Sequence, residues 1–478
     1  MANFVSVMNH ELTEEQKKDA INTFAEVNNM ENDFDTIPFP QIDPKSTSKE
    51  MDELVAKYEA EIVAKNPSEV LLQGEMIFTR RLTEKLKQHN INVVAARSER
   101  VSVETKKTDG TITKTAMFQH RGFLSYFTEE EVKKIKENRI KDKLEKYVNK
   151  KNSLIKNDSE FQKIKTDNII VSPINDLESF EIVKTLLDNG YELNKNLFIT
   201  LQPWGASWEK LESYIKNDLQ NYPSDKIYGV ELIGNIGYNN IDHHSYGDDN
   251  RENERSSIEQ IADLVNYKLS TIKNLISQND KAFIPGMQKY LEENNVGDEA
   301  DKKDLIKKIR ELDRFTQGIS LELESQALES IKNKQILDSG LWVVDLPHSK
   351  CATVTDRCFG DYENMLIVCD DGEFDFYGKG EICKTLNERY SGWCGGDLST
   401  SGFWGISGIK KEELAAVKEK TILTINTEIE KIKQKEAMSK AKVDISQKKE
   451  EMKNIKKLLN DKTEVGKEKD KDIDLDLS

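Results

Sequence analysis

The sequence lacks long apolar runs and has few cysteines. None of its 478 residues lies in a stretch approaching the roughly 20 apolar residues that span a bilayer. The opening "MANFVSVMNHELTEEQ" has no charged segment followed by an apolar one, as a secretory signal would. All five cysteines fall between Cys351 and Cys394 without a CxxC pair, which favours reduced, buried thiols over disulfides or zinc. We therefore expect a cytoplasmic protein with no membrane partner.

Excess positive charge is also missing, since the formal net charge is -16. A broad basic surface is the usual means of coating nucleic acid, so binding of bulk duplex DNA is not expected. A phosphate-bearing ligand would have to be bound in a pocket. The expected partner is a nucleotide or a short oligonucleotide.

Glycine and proline are absent between Gly408 and Gly466. Apolar residues recur there in a narrow row separated by Lys and Glu, which predicts a long charged helix over residues 409–465. A solvated helix without chemistry and a self-associating coiled coil both fit, so a homodimer stays open. Residues 466–478 are predicted to be disordered.

Residues 1–127 alternate strand and helix signals, which predicts a Rossmann-like α/β domain with a parallel βαβ unit. Asp109-Gly110 is predicted to close a hairpin after it. Residues 128–164 read as a helical linker that begins with a capping box of Thr128 and Glu131. We expect the charges of this helix to serve only solvation.

Residues 165–334 show the βαβα rhythm of a parallel, doubly wound sheet, and Ser256 and Glu259 form a capping box within it. Residues 335–408 predict a smaller α/β domain that ends in the glycine-rich loop "SGWCGGDLSTSGFWGISG". The fold class predicted for the whole chain is therefore α/β.

The stretch "NIDHH" places Asp242, His243 and His244 at the end of a predicted strand. Ligands bind at the carboxyl edge of such sheets, and imidazole with carboxylate suits manganese or iron. Three further acids could reach that edge, because each stands at the end of a short strand-like segment. They are Asp176 after "IIVSPIN", Glu231 after "YGV", and Asp280 after "LISQN". Spacing alone leaves a metal site and two structural histidines equally open.

With "QNDKAFIPGM" and "IRELDRFTQGI", this stretch resembles the DHH phosphoesterase superfamily, and residues 335–408 resemble its DHHA1-type companion domain. The resemblance implies hydrolysis of phosphodiester or phosphoanhydride bonds with Mn²⁺ (or Mg²⁺). It implies metal ligands among Asp176, Glu231, Asp242, His243 and Asp280, and a catalytic role for His244 together with Asp242. It also favours a role for Arg314 in positioning the substrate. Apart from the resemblance, Arg357 is a candidate for a bidentate phosphate contact, and Gly395 and Gly396 allow backbone amides to approach an anion.

The sequence departs from that family at several positions. Ser172 and Ile174 stand where the opening motif has metal ligands, Glu231 replaces an aspartate, and Asp397 replaces the histidine of the glycine-rich loop. A full two-metal centre needs more ligands than remain. We therefore expect either a one-metal site or a site that binds its ligand without cleaving it.

In residues 1–127, "NHELTEEQ", "LLQGE" and "AARSER" resemble CRISPR-associated proteins with a CARF-like fold, some of which bind or cleave cyclic oligoadenylates in type III antiviral signalling. A strand that runs through Gly74 into a helix offers backbone amides to an anion. Thr79, Arg97 and Arg100 are expected to lie beside that point.

Three hypotheses follow from the sequence. The first is a metal-dependent phosphodiesterase acting on a small nucleotide, with recognition by the N-terminal domain. The second is a degenerate DHH domain that binds a nucleotide as a sensor or scaffold. The third is metal-independent cleavage in the N-terminal domain through Arg97 and Arg100.

Overall fold

The computed structural model describes residues 3–27, 33–106, 112–155, 162, 164, 167–234, 236–246, 249–250 and 255–469. The chain is of mixed α/β class and forms two compact units, Met1–Gly318 and Ile319–Ser478. Within the described ranges, no helix is long and apolar enough to cross a membrane.

The first sheet of the first unit has the strand order β2-β1-β3-β4-β5. Its first four strands are parallel and β5 is antiparallel. Its elements are β1 (Phe4–Val7), α1 (Glu14–Thr23), β2 (Phe34–Ile37), α2 (Ser48–Lys65), β3 (Glu69–Leu72), α3 (Met76–Gln88), β4 (Asn92–Lys106) and β5 (Ile112–Ser125).

This sheet is covered on both faces. Apolar side chains of α2 and α3 pack on one face, and those of α1 pack on the other. The predicted parallel βαβ unit is present as β3-α3-β4. Strands β4 and β5 pair as an antiparallel ribbon, and the predicted Asp109-Gly110 turn between them lies outside the described residues.

Helix α4 (Glu129–Leu154) begins with the predicted capping box of Thr128 and Glu131. Its charges do more than interact with solvent, which corrects the sequence expectation. Arg139 Nη2 lies 2.8 Å from Glu26 Oε2, in side chains that are 12% and 7% exposed. Lys136, also buried, lies with its Nζ 3.7 Å from Glu212. The helix is therefore anchored through buried ion pairs.

The second sheet has the order β7-β6-β8-β9, and all its strands are parallel. Its surroundings comprise β6 (Ile169–Pro173), α5 (Leu177–Asp188), β7 (Leu197–Thr200), α6 (Ser213–Leu219), β8 (Ile227–Val230), β9 (Asn239–Ile241), the two-residue strands β10 (Ser245–Tyr246) and β11 (Asp249–Asn250), α7 (Ser257–Leu264), α8 (Thr271–Glu293) and α9 (Glu299–Thr316). The larger core of this region joins the sheet to α4, α5, α7, α8 and α9, and α6 packs with Trp208 in the smaller core.

The second unit contains a six-stranded mixed sheet of order β12-β13-β14-β15-β17-β16. Its elements are α10 (Leu321–Lys332), β12 (Gln335–Ile336), β13 (Leu341–Leu346), α11 (Ala352–Cys358), β14 (Asn364–Cys369), β15 (Phe374–Lys379), α12 (Gly380–Tyr390), β16 (Trp393–Asp397), β17 (Ser401–Ile406) and α13 (Leu414–Lys469). A hairpin at Asp371-Gly372 joins β14 and β15.

Helix α13 is the long charged helix predicted for residues 409–465. It includes residues 466–469, which the sequence assigned to a disordered tail, and residues 470–478 of that tail lie outside the described residues. Near its start, Ile425 and Ile429 are buried in the core of the second unit. Part of the helix is therefore a packed element.

Candidate metal centre

The candidate site lies at the carboxyl edge of the second sheet. The chain passes from β6 outward to β7 and then returns to β8 on the other side of β6, so the switch point lies between β6 and β8. Ligands of open parallel sheets bind at such a point. Asp176 and Glu178 follow β6, Glu231 follows β8, and Asp242 to His244 follow β9.

Glu231 is directed to the site by its backbone. It has a φ of 51°, a left-handed conformation that a residue other than glycine rarely adopts and that costs on the order of 1 kcal/mol. Its amide donates to the Ile241 carbonyl at 2.9 Å, and its Oε1 accepts from Ser257 Oγ at 2.8 Å. The turn and helix α7 together fix the carboxylate.

Asp242 orients His244. Asp242, 3% exposed, accepts through Oδ1 from the His244 amide at 2.8 Å and lies 2.9 Å from His244 Nδ1. This hydrogen bond to Asp242 raises the pKa of His244 against the opposing effect of burial. The proton is thereby assigned to Nδ1, and the ring is held in one orientation.

His243 contacts the acid predicted from the "QND" segment. His243 Nε2 lies 3.0 Å from Asp280 Oδ2. Asp280 lies within helix α8, so the expectation that it ends a strand-like segment is wrong. The helix is interrupted at Ala282 and Phe283, where the φ of Phe283 is 56°. The interruption comes two residues after the aspartate, beside the site.

Glu178 is a candidate ligand that sequence reasoning missed. It is 2% exposed, and its Oε1 accepts from the Ile258 amide in the first turn of α7 at 3.1 Å. Its Oε2 has no hydrogen-bond partner within the described part of the chain. The signal was its place two residues after Asp176, in the first turn of the helix that follows β6.

These side chains converge. One ligand atom from each of Glu178, Glu231, His243 and Asp280 can be chosen so that all lie within 4.8 Å of one another. Glu231, His243 and His244 form an overlapping group by the same measure. The predicted residues Glu231, His243 and Asp280 are therefore brought together, and Glu178 completes the set.

Asp176 lies beside this set and caps a helix. Its Oδ1 accepts from the Ser179 amide at 2.8 Å, as the N-cap of α5. Burial and the carboxylate of Asp280 raise its pKa to about 6. Ser172 and Ile174, which replace the opening ligands of the DHH family, are both buried, and Ser172 Oγ donates to the Pro173 carbonyl.

The buried carboxylates of this site are surrounded by other carboxylates. Burial, Asp280 and Glu231 raise the pKa of Glu178 well above its usual value. Burial, Asp176 and Asp280 do the same to the pKa of Glu231. Several carboxylates in one poorly solvated place repel one another, and a bound cation would offset that repulsion.

The residues fit a divalent cation such as Mn²⁺. Carboxylate oxygens and imidazole nitrogens are its usual ligands. Two ligands placed at right angles about 2.1 Å from an octahedral centre are about 3.0 Å apart, which is the distance between His243 Nε2 and Asp280 Oδ2. Glu178 Oε2 and His243 Nδ1 are buried without hydrogen bonds from the described residues.

The anion site predicted at Gly74 contains an aromatic ring and a carboxylate, which do not favour an anion. A side chain at Gly74 would collide with the Phe39 ring, whose Cζ would be 2.1 Å from the added Cβ, so the glycine admits that ring. Glu75 caps α3 by accepting from the Phe78 amide at 2.8 Å, which places a carboxylate at the helix start. Thr79 is buried.

Arg97 and Arg100 are exposed on strand β4. Side chains three residues apart on a strand leave from opposite faces, so these two do not share a face. A register irregularity separates Arg97 from Ser98, opposite Gly122 and His120 of β5.

The remaining predicted substrate residues lie on separate elements. Arg314 is buried in the last turn of α9. Arg357 is in α11 of the second unit, where it forms an ion pair with Glu324.

Gly395 and Gly396 lie in strand β16, so the predicted glycine-rich loop is an antiparallel hairpin of β16 and β17. A Cβ on Gly395 would lie 2.6 Å from the Phe403 ring, and one on Gly405 would lie 2.2 Å from the Trp393 ring. The glycines therefore make room for aromatic rings on the paired strand.

A family model matches the N-terminal part of the chain. Residues 2–124 match the model of the Uncharacterized protein MJ1673 family, whose name states no ligand or activity. The curated proteins contain no match. The CARF-like resemblance of residues 1–127 stays a prediction.

Two solved structures are similar to parts of the chain. An uncharacterized protein from Helicobacter pylori G27 is 11% identical, with a TM-score of 0.18, over 54% of this chain and 99% of that one. RecJ in complex with Mn²⁺ from Thermus thermophilus is 9% identical, with a TM-score of 0.29, over 60% of this chain and 55% of that one.

Proposed function

We propose that the first unit is a divalent-cation-dependent phosphodiesterase that hydrolyses a phosphodiester or phosphoanhydride bond of a small nucleotide. The observation that carries the proposal is the convergence of Glu178, Glu231, His243 and Asp280 within 4.8 Å at the carboxyl edge of a parallel sheet. The DHH sequence motif supplies the reaction class.

The four converging residues would hold Mn²⁺ or Mg²⁺. When bound, such a cation acidifies a water molecule and polarises a phosphoryl oxygen. Glu231 is fixed by its turn and by Ser257, and Glu178 by the first turn of α7. The ligands are therefore oriented before the cation binds, which lowers the cost of assembling the site.

His244 is the candidate proton donor. Its raised pKa favours the imidazolium, which is held by Asp242 through Nδ1 and carries a second N–H at Nε2. In hydrolysis, a water oxygen bonds to phosphorus and the bond to the leaving oxygen breaks. His244 gives the leaving oxygen its proton, and the proton released by the attacking water passes to solvent, from which His244 is reprotonated. Asp242 stabilises the charged ring and so acts through His244.

The site alone does not choose among nucleotides. The specific substrate that we propose, a cyclic or short linear oligoadenylate of antiviral signalling, rests on the CARF-like resemblance alone. This substrate class determines the choice of test compounds. The net charge of -16 supports a short ligand over bulk nucleic acid.

The test is turnover by the full chain. Cyclic tetra-adenylate, cyclic hexa-adenylate, pApA and cyclic di-AMP are incubated separately with the protein plus Mn²⁺, and then plus EDTA. We expect turnover of at least one substrate with Mn²⁺ and none with EDTA. His243→Ala should abolish it, whereas His89→Ala, which changes an exposed histidine paired with Glu59, should leave it unchanged.

Two outcomes would contradict the proposal. Turnover that persists in EDTA and in His243→Ala would move the chemistry away from this site. Tight nucleotide binding without product would instead favour a binding domain. Ile174, which has no ligand atom, and Ser172, whose Oγ donates to the Pro173 carbonyl, support that alternative.

A further inference from the structure

The second unit contains a separate group of potential metal ligands. Cys351 at the start of α11, Cys369 at the end of β14 and Asp375 in β15 each place one ligand atom within 4.8 Å of the others. The three residues are 7%, 0% and 6% exposed. No CxxC spacing indicates them in the sequence, because the folding of three elements brings them together.

The distance between the two sulfur atoms suits a tetrahedral metal. Cys351 Sγ and Cys369 Sγ are 3.8 Å apart. Two thiolates bonded to zinc at about 2.3 Å in a tetrahedral site are separated by about 3.8 Å. A disulfide has its sulfur atoms about 2.05 Å apart, so the same pair would have to close by about 1.7 Å. The arrangement therefore favours a shared metal over a covalent bond.

Asp375 provides the third ligand. Cys351 Sγ lies 3.1 Å from Asp375 Oδ2, about 0.4 Å less than the edge of a tetrahedron with one sulfur and one oxygen ligand. Cys351 Sγ donates to this carboxylate, and Glu373 and Trp393 are neighbours that act to lower its pKa. None of these three is a cation, although a buried carboxylate is normally paired with one or bound to a metal.

We propose that Cys351, Cys369 and Asp375 bind a zinc ion in the second unit, with a water molecule as the fourth ligand. The ion would join the start of α11, the end of β14 and strand β15. Glu373 is a neighbour of Asp375 and would be the outer carboxyl that orients the metal-bound carboxylate. This site is independent of the candidate centre of the first unit, which has oxygen and nitrogen ligands only.

Cobalt substitution in the full chain tests the site. Thiolate bonded to Co²⁺ gives an intense near-ultraviolet charge-transfer band, which oxygen and nitrogen ligands do not give. We expect the metal-free protein to develop this band with one equivalent of Co²⁺ and to lose it when Zn²⁺ is added. His243→Ala should keep the band, because it changes only the first unit.

Variants assign the ligands. Cys351→Ser and Cys369→Ser should lose the band and bind Zn²⁺ at least about 100-fold more weakly, a larger loss than for residues that only orient a ligand. Cys358→Ser is the matched control, since Cys358 is buried in the same apolar cluster and lies outside the group of three. It should behave as the unsubstituted chain. Asp375→Asn keeps both thiols and should weaken Zn²⁺ binding by at least about 10-fold.

The spectrum of the unsubstituted chain decides the case even if a cysteine variant fails to fold. Absence of the thiolate band with Co²⁺ would overturn the proposal. So would Zn²⁺ affinity unchanged in folded Cys351→Ser and Cys369→Ser. A cross-linked peptide of Cys351 and Cys369, two hydrogens lighter and without metal uptake, would assign the pair to a disulfide and also overturn it.

Discussion

At the scale of single residues, helix α5 contains two buried glutamates with different roles. Glu181 is a structural carboxylate, and Glu178 is a candidate metal ligand. Glu181 is buried, and burial acts to raise its pKa, but Lys151 and Lys273 hold that pKa below its usual value. Their Nζ atoms lie 2.8 and 3.3 Å from its carboxylate. Glu178, three residues earlier and equally buried, is surrounded by other carboxylates. A proton or a bound cation is needed to offset this repulsion.

We expect Glu178→Gln to lower the affinity for Mn²⁺ by at least about 100-fold and to abolish Mn²⁺-dependent turnover. The substitution retains an acceptor for the Ile258 amide and removes a buried charge, so the metal-free protein should unfold at the same temperature or higher. Isothermal titration with Mn²⁺ and thermal unfolding without metal measure the two effects.

Glu15→Gln is the matched control for this change. Glu15 occupies the same second position of helix α1 and is exposed, so neither Mn²⁺ affinity nor turnover should move. A Glu178→Gln protein that binds Mn²⁺ normally would remove Glu178 from the site. A metal-free variant that unfolds at a much lower temperature would indicate that Glu178 is structural.

Glu69, in strand β3, provides a pH-dependent prediction. It is 2% exposed, accepts from Asn92 Nδ2 at 2.5 Å, and burial raises its pKa from 4.5 to about 7. Between these values the folded state keeps a proton that the unfolded state releases. Its contribution to stability is therefore complete below pH 4.5 and is lost as the pH rises through 7.

The variant Glu69→Gln cannot titrate at this position. We expect the free energy of unfolding of the unsubstituted protein to fall relative to that of Glu69→Gln between pH 4.5 and 7.5, by up to about 3 kcal/mol. Urea unfolding of both proteins across this range gives the difference. A constant difference would show that Glu69 has the same pKa in the folded and unfolded states.

At the scale of elements, helix α4 is held by charges that a sequence analysis assigned to solvation. Arg139 donates to Glu26 at 2.8 Å and to the Pro67 carbonyl at 3.2 Å, in nearly buried surroundings. Lys146 pairs with Asp142 on the same helix, where both side chains are more than half exposed. The two pairs differ mainly in their access to water.

Replacing Arg139 with Met should therefore destabilise the first unit by about 3–5 kcal/mol, because Glu26 is left buried without its partner. Lys146→Met should change the free energy of unfolding by less than about 1 kcal/mol, because exposed pairs contribute little. Denaturant unfolding of the two variants under identical conditions provides the comparison. Equal losses of unfolding free energy in the two variants would mean that burial does not increase the contribution of the Arg139–Glu26 pair to stability.

Local signals predicted the elements that depend on local chemistry. The capping boxes at Thr128 and Ser256 each begin a helix where the sequence placed one. Strand β2 and helix α2 were not predicted, although Thr47 and Glu50 form the same kind of box at the start of α2. The capping-box signal could therefore have predicted helix α2 as well.

Contacts between distant segments set the rest. Gly395 and Gly405 suggest a loop by composition, but they are strand positions whose missing side chains admit the rings of Phe403 and Trp393. Asp280 follows apolar residues that could belong to a strand or a helix, and packing in the core selects the helix. Parallel strand ends place Glu231 and His243 at one edge. The arrival of Glu178 and Asp280 depends on how α5 and α8 pack.

At the scale of the whole molecule, the two compact units are proposed to hold chemically different cations. The first unit, Met1–Gly318, brings carboxylates and imidazoles together, and the second, Ile319–Ser478, brings thiols and a carboxylate together. Hard oxygen ligands suit Mn²⁺, and thiolates suit Zn²⁺. The two ions should therefore act on different parts of the chain.

We expect scanning calorimetry of the metal-free full chain to resolve two unfolding transitions. Mn²⁺ at about 100 times its dissociation constant should stabilise the first unit by about 2.7 kcal/mol, since binding to the folded state alone adds RT ln(1 + [L]/Kd). Zn²⁺ should raise the transition of the second unit in the same way. Hydrogen exchange followed by mass spectrometry assigns each transition, through peptides from strands β6 and β14.

The variants separate the two effects. His243→Ala should remove the shift caused by Mn²⁺ and retain the one caused by Zn²⁺, and Cys351→Ser should do the reverse. Measuring the Zn²⁺ effect in His243→Ala guards against zinc binding in the first unit. If Mn²⁺ raised both transitions equally in every variant, the ion would be acting through general surface binding to an acidic chain, and neither site would account for the stabilisation.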